Sequence, residues 1–137
     1  MHSAGDEAFM AVEILRKELD NLEAKLDTLD EGLESLEYQI RAFEHDRTLK
    51  LEQRRNLREA SKVVSLAEYG KIVQQLIDVT FTLAELDVKQ ALLMGERSRC
   101  QRERGTLLEE IEKQQRELNR ILEVENRSNV IAFPTRL

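Results

Sequence analysis

The sequence predicts an all-α fold, an elongated antiparallel two-helix coiled-coil hairpin that is oligomeric or bundled with partner helices. Three observations lead there: a ladder of apolar residues in the first forty positions, a second ladder beginning near residue 72, and a helix-start signature between them. The composition agrees, with 35% charged residues, 4% aromatics, one proline and no tryptophan in 137 residues. Such a chain suits helices that bury a narrow seam and leave the rest of their surface charged.

The first element, expected over residues 6–61 after a flexible 1–5, rests on Val12, Leu15, Leu19, Leu22, Leu26, Leu29, Leu33, Leu36, Ile40 and Phe43. These recur by alternating steps of three and four, and a stripe with that average spacing keeps facing a partner when helices supercoil left-handedly. Towards residue 60 the frame falls on Arg47, Lys50 and Arg54, so the seam weakens there. Leu49, Leu51, Val63, Val64 and Leu66 supply apolar contacts in the same region.

The turn is placed at residues 62–65. Ser65-Leu-Ala-Glu68 fits a capping box, and Val64 and Tyr69 are spaced as a hydrophobic staple. Ile40 and Leu76 occupy equivalent seam positions yet are out of phase by one residue, so the two ladders do not form one uninterrupted frame. A reversal there makes residue i face roughly 126 − i, with arms on the order of 80 to 90 Å long.

The second element, expected over residues 66–126, carries Ile72, Leu76, Val79, Leu83, Leu86, Leu93, Leu107, Ile111, Leu118 and Ile121 in one frame. That frame also places Gln90, Arg97, Cys100, Arg104 and Gln114 on the seam. Arg97 and Arg104 fall beside the stretch Leu22 to Leu29, where Asp20, Glu23, Asp27 and Asp30 are expected to receive guanidinium groups that reach across the seam. Met94, Leu108 and Leu122 flank the seam and widen its apolar face, which points to self-association or a helical partner. Residues 127–137 read as an extended apolar tail, with Val130, Ile131, Phe133 and Leu137 as docking candidates and Thr135-Arg-Leu137 similar to C-terminal PDZ ligands.

Charge and chemistry narrow the function. Residues 1–40 hold eleven acidic and three basic side chains, residues 41–60 hold four and six, and residues 61–137 hold twelve of each. Arg41, Arg47, Lys50, Arg54, Arg55 and Arg58 form the basic stretch a nucleic acid would use, but the acidic first arm would repel a duplex. Glu44-His45-Asp46 cannot converge on one metal ion, because consecutive helical residues point about 100° apart. The five glycines are scattered, leaving no phosphate-binding loop, and a two-helix rod builds no water-shielded pocket. Cys100 reads as a small core residue, and a single cysteine suits a reducing compartment.

The expectation is therefore a non-enzymatic structural or adaptor protein of the cytoplasm, without cofactor or metal. It engages protein partners through its helices and its C-terminal tail, forms a homo-oligomer, and avoids membranes. The competing reading is a nucleic-acid accessory factor that uses the arginine-rich tip. In size and two-helix pattern the chain looks like the stalk proteins of flagellar and type III secretion export ATPases and like phage assembly proteins, a likeness of outline that transfers no functional residue.

Overall fold

A computed structural model describes residues 4–132. Two helices, α1 (Ala4–Ser61) and α2 (Leu66–Ala132), pack against each other as an antiparallel hairpin, with no strand among the described residues. Nothing interrupts either helix: the one proline is Pro134, and the remaining residues are mostly good helix formers.

The ends of α1 match the local chemistry. Asp6 and Glu7 lie in its first turn, where unpaired amides favour negative charge, and Arg58 lies in its last. The helix closes by tightening. Lys62 and Val63 donate their amides to the carbonyls of Glu59 and Ala60 at 3.2 Å each, and Ser61 Oγ donates to the Arg58 carbonyl at 2.6 Å. The chain reverses over residues 62–65, and the Ser65 carbonyl then accepts from the amides of Glu68 (3.1 Å) and Tyr69 (3.0 Å) to start α2. No described residue has a positive φ, so the reversal needs no glycine.

Both outer boundaries differ from the sequence expectation. Residues 4 and 5 belong to α1 rather than to a flexible terminus, since an acidic first turn stabilises the helix from its first residues. At the other end α2 continues through Asn126-Arg-Ser-Asn129 to Ala132, so residues 127–132 are not an extended tail. Asparagine and serine cost a helix only a fraction of a kcal/mol each. Arg127 also spans a helical turn to Glu123 at 2.7 Å.

The hairpin divides into two compact units. The terminal unit joins α1 up to Glu31 with α2 from Gln101 onward. Its core is Val12, Leu19 and Leu118, with Leu15, Ile111, Ile121 and Leu122 packed against them. Leu122 thus serves the intramolecular core rather than an external partner. The turn unit spans Gly32–Cys100 and buries Leu33, Leu36, Ile40, Val79, Leu83 and Cys100.

The polar residues of the second ladder are mostly satisfied. In the terminal unit Arg104 Nε donates to Asp30 Oδ1 at 2.7 Å, and Gln114 donates to Glu110 within α2 at 3.1 Å. In the turn unit Gln90 donates to Glu44 at 3.3 Å, and Arg47 Nε donates to Asp87 Oδ1 at 2.8 Å. Asp30 alone of the four expected carboxylates receives a seam arginine. The hydrogen-bonded side chains pair at 134 − i rather than 126 − i, and apolar neighbours such as Val12 and Ile121 also lie beyond the expected register. The lean of each helical side chain towards its own N-terminus adds to the offset in an antiparallel pair. Arg97 gains no such partner: its Nε is buried without a hydrogen bond.

Candidate helix-docking surface

Every expected seam residue is removed from solvent to some degree. Val12, Leu19, Leu33, Leu36, Ile40, Val79, Leu83 and Leu118 are buried. Leu15, Leu22, Leu26, Leu29, Leu76, Leu86, Leu107, Ile111 and Ile121 are half-buried. Cys100 is free and buried at 7% exposure, which places its thiol in the packing rather than on the surface.

The other sequence candidates do not assemble into a site. Arg47 is engaged by Asp87, Lys50 donates to Gln53 at 3.3 Å, and Arg54 and Arg58 line an apolar groove. At 100° per residue these four share an arc of about 80° on α1, Arg55 lies about 60° beyond Arg58, and Arg41 lies on the far side, so the six do not form one face. Glu44 is held by Gln90, and no group of three or more His, Cys, Asp or Glu side chains converges among the described residues. Of the tail candidates, Val130 and Ile131 lie on α2, while Phe133 and Leu137 lie outside the described residues. Among the described residues no helix is long and apolar enough to cross a membrane.

What stands out is a second apolar stripe, on the side of α2 away from the seam. Within the turn unit Leu66, Ile77, Phe81, Val88 and Leu92 follow one another at helical spacing and are 94%, 43%, 67%, 61% and 70% exposed. Between them on the same face lie Gly70, Val73, Ala84, Ala91 and Gly95. The two polar members are satisfied within the helix: Thr80 Oγ1 donates to the Leu76 carbonyl at 2.7 Å and Gln74 to Asp78 at 3.1 Å. From Leu66 to Gly95 no charged residue falls within about 60° of the stripe's centre line.

A stripe of this length is unusual on a water-facing helix, where charged side chains ordinarily interrupt the apolar ones. Along one edge it deepens into a groove of about 500 Å³ between the helices, lined by Val73, Leu76, Ile77, Thr80, Phe81 and Ala84 with Arg54 and Arg58 at its rim. Neither arginine is in an ion pair among the described residues. The opposite flank carries Lys71, Asp78, Glu85, Lys89 and Glu96.

Of the stripe's residues the heptad reading singles out only Leu66, as an apolar contact near the turn; Met94, Leu108 and Leu122 flank the seam instead. The signal for the stripe was nevertheless present, as the i, i+4, i+7, i+11 run Ile77, Phe81, Ala84, Val88. No protein-family model, curated protein or solved structure matches the chain.

Proposed function

We propose that this chain is a non-enzymatic structural adaptor that joins proteins by helix packing, with the outward stripe of α2 in the turn unit as its docking surface. One observation carries the reading: α2 is apolar on two opposite sides, and α1 covers only the seam side. The exposed side has the i, i+4, i+7 anchors by which one helix receives another. Removing those anchors from water is the dominant favourable term in helix association, at about 25 cal/mol per Å² of apolar surface.

The concavities support a binding role over a catalytic one. Four grooves among the described residues, of about 290 to 500 Å³, are open; three present chiefly apolar surface with two charged side chains each, and the fourth is lined by Glu18, Lys25 and Glu110 beside Asn21, Leu22 and Gln114. A lone cysteine suits work in a reducing compartment such as the cytoplasm.

The test is affinity purification from the native source with the wild-type chain, F81E/L92E and the control Y38E, all three checked for unchanged helicity. Stoichiometric helical partners, or further copies of the chain, are expected with wild type and Y38E and lost with F81E/L92E. Identical recovery from all three would overturn the reading.

A further inference from the structure

We draw no further inference here: the strongest candidate, the outward apolar stripe of α2 in the turn unit with the groove beside Arg54 and Arg58, carries none because nothing in the structure shows what covers it.

Discussion

Arg104 Nε donates to Asp30 Oδ1 at 2.7 Å although Arg104 occupies a seam position that most coiled coils give to an apolar residue. Both side chains remain more than 40% exposed, so the guanidinium stem packs along the seam while its charge stays at the rim. A pair this wet is worth little in water. Replacing Asp30 with Asn is expected to cost no more than about 1 kcal/mol, and a double-mutant cycle with Arg104→Leu should give a coupling of about 0.2 to 1 kcal/mol that shrinks in molar salt. Urea unfolding at low and high salt measures both.

Arg97 lacks what Arg104 has. Its Nε is buried and makes no hydrogen bond, a situation that costs about 1 to 3 kcal/mol for a polar group. Arg97→Met keeps the stem's volume and removes the stranded donor, and is expected to raise the urea midpoint by an amount worth about 1 kcal/mol. An unchanged or lowered midpoint would show that Nε is not the costly group.

The seam is thin, so single truncations in it are costly. Leu83 and Leu118 are 5% and 6% exposed, and each to Ala should lose about 2 to 3 kcal/mol, the lower part of the range for core leucines. Leu92, at 70% exposure, is expected to tolerate Ala within about 0.5 kcal/mol by urea unfolding of the dilute chain.

Gly32 and Gly105 sit inside helices with nothing within 4 Å of an added Cβ. Each to Ala is expected to stabilise the chain by about 0.5 to 1 kcal/mol, read as a higher melting temperature, because alanine loses less conformational freedom in a helix.

Glu117 and Arg120 form a two-pronged pair on α2, at 2.6 and 3.1 Å. The hydrogen bond from Arg120, aided by its charge, holds the Glu117 carboxyl below its ordinary value and raises Arg120 in turn. A depressed folded value means that the pair's contribution is complete above the ordinary glutamate range and fades as pH falls through that range towards the folded value. Carboxyl NMR should give Glu117 a midpoint below the ordinary glutamate value, and Arg120→Gln should raise it.

The two helices, the seam residues and the reversal at residues 62–65 are legible in the sequence, because three-four spacing and the absence of internal proline are local properties that each helix obeys alone. The sequence also held the second stripe on α2, although a stripe is informative only once it is known which side α1 covers. Tertiary structure decided which carboxylate each arginine meets: Arg104 donates to Asp30 and Arg47 to Asp87, while Arg97 Nε finds no acceptor. The physical reason is that partner choice depends on how the two helices are set against each other and on the lean of side chains in both, and a shift of about two turns in pairing leaves either helix's apolar spacing unchanged. The same dependence separates the buried side of α2 from the exposed one, which the periodicity of a single helix does not express.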